Sequence, residues 1–88
     1  MPDERYGIEV ETRPSDAQGL VRRLQLKRRD GGVDGVLLVL PDTRTARAFV
    51  RAAEPTLRGF FSIPGYRAIE LLQAGADPGG NAIVIVPR

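Results

Sequence analysis

The sequence predicts an α/β fold, a four-stranded and mainly parallel sheet in the order β-α-β-α-β-α-β with right-handed crossovers. Two observations predict it. "GVLLVL" (35–40) and "NAIVIV" (81–86) are short, continuously apolar runs of the kind that lie in a parallel sheet with both faces covered. Between the candidate strands lie segments with an apolar stripe at helical spacing, and strands separated by single helices pack as crossover units.

The first element is "YGIEVET", in which Tyr6, Ile8, Val10 and Thr12 share one face and Glu9 and Glu11 the other. That period of two is the signature of a half-buried strand. It is the one strand with such alternation, so it is expected at or near a sheet edge, or with its glutamate face turned into a cleft. Pro14 ends it. Ser15 followed by Gln18 has the spacing of a capping box, and Ala17, Leu20, Val21 and Leu24 form the stripe of a helix reaching about Arg29, ahead of Gly31 and Gly32. Its outward positions carry Arg22, Arg23, Lys27 and Arg29.

After "GVLLVL", Asp42 or Thr43 caps a second helix whose Ala46, Phe49, Val50 and Ala53 share a face, and Pro55 ends or kinks it near Glu54. "GFFSI" (59–63) reads as the third strand, and "PGYRAIELLQAG" as a third helix with Pro64 at its first turn and Gly75 past its end. The turn-rich "AGADPGGN" leads into the fourth strand. It lacks the Lys of a phosphate-binding loop and the glycine spacing of a dinucleotide site.

Eighty-eight residues, 42% hydrophobic and 27% charged, are expected to form a single α/β domain over 1–88. A chain of this size buries only about 60–65% of the surface its unfolded form exposes, so surface borrowed from a partner would matter. The absence of Cys and His excludes disulfide frameworks, thiolate or imidazole metal sites and Ser-His-Asp chemistry. No apolar run approaches the length of a membrane span and no leader pattern is present, so the expected location is cytoplasmic, with no membrane partner. Net charge is +2, and twelve of the thirteen basic residues are Arg. Arg suits phosphate recognition, although GC-rich codon usage accounts for the same composition.

In open parallel sheets ligands bind beyond the carboxyl ends of the strands. Those positions hold Glu11, Thr12 and Arg13, then Asp42, Thr43 and Arg44, then Ser62, and finally Pro87 and Arg88. Were the first two strands neighbours, Glu9, Glu11 and Asp42 could offer oxygen ligands to a divalent cation. The alternative is structural: the glutamates form the polar face of an edge strand, Asp42-Thr43 is a helix cap, and the basic residues are a solvated face. That face, Arg22, Arg23, Lys27 and Arg29, could also contact nucleic-acid phosphates.

"EVETR", "DAQGLVRRLQLKRRDGGVD", "LLVLPDTR" and "LLQAGADPGGNAIVIV" together resemble the C-terminal region of a group of actinobacterial helix-turn-helix regulators. In pattern that region looks like a restriction-endonuclease-like core of the PD-(D/E)XK type. The resemblance runs from Glu9 to Val86. It implies that Glu9 and Glu11 match the metal-binding Glu-x-Glu strand, that Lys27 stands in for a displaced catalytic lysine, and that Gln18 resembles a glutamine some members carry. It would make Glu9, Glu11 and Lys27 catalytic and Mg²⁺ or Mn²⁺ the cofactor of a nuclease acting on phosphodiesters.

The first strands of such a core and their Asp would lie upstream of Tyr6, where this sequence has "MPDER", and Asp3 is too close to Glu9 to sit on a separate strand. The chain is then expected to be a fragment, a remnant, or a domain whose missing strand comes from a partner, one such arrangement being a homodimer whose first strands meet or whose neighbouring faces bury Tyr6 and Ile8. The missing Asp, and Glu in place of Lys at position 11, favour a non-catalytic interaction or DNA-contact module associated with transcriptional regulation, requiring no cofactor. The alternative is the metal-dependent nuclease.

Overall fold

The computed structural model describes residues 6–76 and 78–87. The expectations attached to Asp3 and Arg88 lie outside the described residues. The elements are β1 (Tyr6–Val10), α1 (Ala17–Gly31), β2 (Gly35–Pro41), α2 (Arg44–Ala52), α3 (Glu54–Arg58), α4 (Gly65–Gln73) and β3 (Ala82–Val86). The sheet has three strands in the order β1-β2-β3, with both pairings parallel. The four-stranded β-α-β-α-β-α-β expectation is thereby corrected: α/β and parallel are right, but the third expected strand does not form.

The reason lies in "GFFSI". The carbonyl of Leu57 accepts from the N–H groups of both Phe60 and Phe61, at 3.1 and 2.8 Å, so these residues close the end of α3 instead of extending. Phe61 turns into the core, with its ring edge-on to Phe60 at 4.9 Å. Only Ile63 is left to bridge Ala82, a single parallel contact at the start of β3.

Caps explain the helix boundaries. Asp16, not Ser15, caps α1, its Oδ1 accepting from the Gly19 N–H at 3.1 Å, so Gln18 completes no capping box. Gly32, with φ of 64°, closes the other end by donating to the Arg28 carbonyl. Thr43 caps α2 through Oγ1, which accepts from Ala46 at 3.0 Å. Pro55 sits in the first turn of α3, and the break it imposes separates α2 from α3 at Ala53.

β2 is the centre of the molecule. Val36, Leu38 and Leu40 face Leu20 and Leu24 of α1, Ala46 of α2, and Leu57 and Phe61 of the α3 segment, while Leu37 faces the opposite way with Ala68 of α4 and Ala82 of β3. Three helices cover one face and α4 covers part of the other. Gly65 lets α4 reach the sheet: a Cβ there would stand 2.3 Å from the Ile83 carbonyl oxygen.

A polar clasp closes the amino ends of the strands. The Tyr6 hydroxyl donates to the Gly80 carbonyl at 3.0 Å and accepts from its N–H at 3.3 Å, so β1 is tied to the loop before β3 across the start of β2. The ring passes over Gly35, where a Cβ would meet Tyr6 Cε1 at 2.5 Å. Beside it the buried Asn81 accepts from Val36 N–H at 2.9 Å and donates to the Phe60 carbonyl at 3.0 Å.

Asn81→Ala strips the partners from Val36 N–H and the Phe60 carbonyl, and is expected to cost about 2–4 kcal/mol, read as a lower urea midpoint at unchanged m-value. Gly35→Ala is expected to cost about 1–3 kcal/mol by overpacking against the Tyr6 ring, and combining it with Tyr6→Leu is expected to be less than additive in denaturant titrations.

Candidate functional site

The carboxylates on β1 and the basic face of α1 are adjacent in space. In a parallel sheet registered neighbours point to the same side, so the pairings Glu9↔Leu38 and Gly7↔Val36 put the glutamates on the face that α1 covers. Glu11 Oε2 accepts from Arg23 at 3.2 Å, and Glu9 Oε1 accepts from Lys27 Nζ. Arg23 and Lys27 lie one helical turn apart, and Glu9 and Glu11 one pleat apart. Two parallel ion pairs therefore stitch the β1 flank of α1 to the strand.

The glutamates thus form the polar face of an edge strand, and that face lies under α1. Alternation identifies which residues share a side of a strand, but not which side a helix will cover. Here the helix takes the glutamate side, its cations satisfying the carboxylates, and the apolar side is left open. Ile8 and Val10 are 65% and 63% exposed. The edge position of β1 agrees with expectation, since it pairs only with β2 among the described residues.

At the carboxyl end of β1 the ion pair Glu11–Arg23 borders a hollow of about 220 Å³, lined also by Arg13, Pro14, Ser15, Asp16, Gly19 and Leu20. Its charge is mixed, two Arg against Glu11 and the capping Asp16. On the opposite flank of α1, Arg28 and Arg29 rim a wider hollow of about 460 Å³ floored by Val33 and Phe60. Periodicity in the sequence does not single out Arg28. Its place with Phe60 around this hollow depends on the turn after α3, which no local signal near Arg28 specifies.

The candidate metal ligands are each engaged. Glu9 and Glu11 hold α1 cations, and Asp42 accepts from Arg47 Nε. That hydrogen bond, with the charge of Asp42, holds the Arg47 guanidinium above its ordinary value. No group of three or more Asp, Glu, Cys or His among the described residues is arranged to hold a metal ion. Of the candidate nucleic-acid contacts, Arg23 and Lys27 serve the strand and Arg29 pairs with the neighbouring Asp30 at 3.1 Å. Arg22 and Arg28 make no ion pair among the described residues, and both are exposed.

The two stitching pairs sit in solvent, with Arg23 and Lys27 side chains 58% and 56% exposed. Water and salt screen such pairs, so Lys27→Met and Glu9→Gln are each expected to change stability by less than about 1 kcal/mol, measured by urea unfolding at low and high salt.

No helix among the described residues is long and apolar enough to cross a membrane. Comparison with known protein families, curated proteins and solved structures returns no match to this chain.

Proposed function

We propose that this chain is a non-catalytic interaction module that contacts DNA phosphates through the exposed face of α1. The observation that carries the reading is the engagement of Glu9 and Glu11 by Lys27 and Arg23. A carboxylate pair that served metal-assisted hydrolysis would offer its oxygens to the cation and leave a lysine beside the scissile phosphate. These carboxylates instead face the cations of α1, and the lysine of the nuclease reading pairs with one of them.

With Leu20 and Leu24 packed on β2, α1 turns Arg22 and Arg29 outward, and Arg28 rims the flank beyond. Guanidinium groups suit phosphate oxygens because the planar fork donates two parallel hydrogen bonds, and such contacts give affinity without reading bases. Arg23, Lys27 and Arg29 are exposed enough to add to this face, since surface ion pairs exchange readily for phosphate contacts. The resemblance to regulator C-terminal regions supports an association with transcription, and hence work in the cytoplasm beside the chromosome.

Fluorescence anisotropy with a labelled DNA duplex in excess chelator tests this. Retention that weakens linearly in log salt is expected, and Arg22→Ala with Arg28→Ala is expected to lower the slope by about 2. Absence of binding at about 50 mM salt overturns DNA contact. Binding or cleavage that needs Mg²⁺ or Mn²⁺ and is lost in Glu11→Gln overturns the non-catalytic reading.

A further inference from the structure

The edges of the sheet differ. At β3, Ile63 occupies the start of the outer edge, its N–H donating to the Asn81 carbonyl at 3.1 Å. Among the described residues β1 has neither Pro nor Lys, and its register with β2 has no bulge, three of the devices that blunt an edge. Its acidic residue is folded to the helix side and neutralised by Lys27.

Glu11 N–H donates to the Val39 carbonyl at 3.0 Å, so the odd residues of β1 direct their backbone groups to β2. The even residues Ile8 and Val10 therefore direct theirs to the outer edge. The side chains of these residues are the ones that stand exposed on the open face. By register that face continues from Val10 to Val39 and Val84, and Val84 adjoins Ile69 and Tyr66 of α4 around a hollow of about 320 Å³. Backbone donors, backbone acceptors and apolar side chains thus coincide at one edge.

We propose that this edge binds a second copy of the chain, β1 pairing antiparallel with β1 of the partner about a two-fold axis through Ile8. In that register Ile8 stands opposite Ile8 of the partner subunit, Val10 opposite the partner's Tyr6, and Glu9 opposite the partner's Gly7. Every apolar residue of the strand meets an apolar or aromatic residue on the same face, the kind of cross-strand pair that stabilises a sheet. Neither glutamate meets a glutamate, and Gly7 gives the Glu9–Lys27 pair room. The central Ile8 pair is also a hydrogen-bonded pair, as the outward direction of the Ile8 backbone groups requires.

Competing registers fail on the same grounds. Centring the pair on Glu9 sets two glutamates against each other, a destabilising arrangement. A shift of one residue sets Ile8 against Glu9 and brings an apolar side chain to the charged face. The chosen register joins both sheets into one, with the two α1 helices on one side and the open apolar strips of both copies on the other. It does not depend on DNA contact by α1.

Cysteine is absent from the chain, which gives a direct test. Light scattering on the size-exclusion peak at micromolar concentration is expected to give a dimer mass. Ile8→Lys, a change at an exposed side chain that leaves the circular dichroism spectrum unaltered, is expected to raise the dimer dissociation constant roughly 100-fold or more. Under mild oxidation Ile8→Cys is expected to cross-link to its own copy, because paired Cα atoms in this register lie within disulfide reach, whereas Leu26→Cys on α1 is not. A monomer at all concentrations tested overturns the proposal and leaves the edge to a strand from a different protein. A dimer that survives Ile8→Lys, or in which Ile8→Cys links no faster than Leu26→Cys, overturns the register and the interface together.

Discussion

Everything in this fold leans on β2, a strand that must be buried on both sides at once. Its even residues Val36, Leu38 and Leu40 pack under α1, α2 and the α3 segment, and Leu37 packs under α4. Because it also pairs with a strand on each edge, its backbone groups are satisfied by the sheet and its side chains by two separate cores. With so little core to share, each helix is placed by what it can cover of this one strand.

The position of α1 shows how that constraint decides the chemistry of the surface. Leu20 and Leu24 bring the helix onto β2, and the width of a helix then carries its next flank over β1. A helix flank with Arg23 and Lys27 meets a strand face with Glu11 and Glu9, so the contact is polar where it leaves the core. Such exposed pairs add little stability. Their effect is local: each sets a cation of α1 against a carboxylate of the strand, while Arg22 and Arg28 make no ion pair among the described residues.

Two edges of unequal character follow from the same arrangement. The chain after α3 crosses to the outer side of β3 and leaves one bridge there before α4 begins. Among the described residues β1 receives no such cover, and Ile8 and Val10 stand exposed on its open face. Small domains commonly obtain additional buried surface by association, and an unblunted edge beside exposed β-branched residues is where that association is least costly to make.

Much of the fold is legible in the sequence because it depends on local periodicity and on residues with restricted backbones. The apolar run 35–40, the alternation at 6–10, the cap at Thr43, the break at Pro55 and the turn at Gly32 each follow from interactions within a few residues. Tertiary contacts alone decided the rest. Whether "GFFSI" extended depended on Phe61 being drawn into a core built by distant elements, and whether Asn81 and Tyr6 mattered depended on partners 45 and 74 residues away. Glu9 and Glu11 are the sharpest case. Period-two alternation by itself determined that they share a face, because successive side chains of any strand must point oppositely; which face the helix covers is a property of packing across the sheet, and only the tertiary structure decided that they meet the cations of α1.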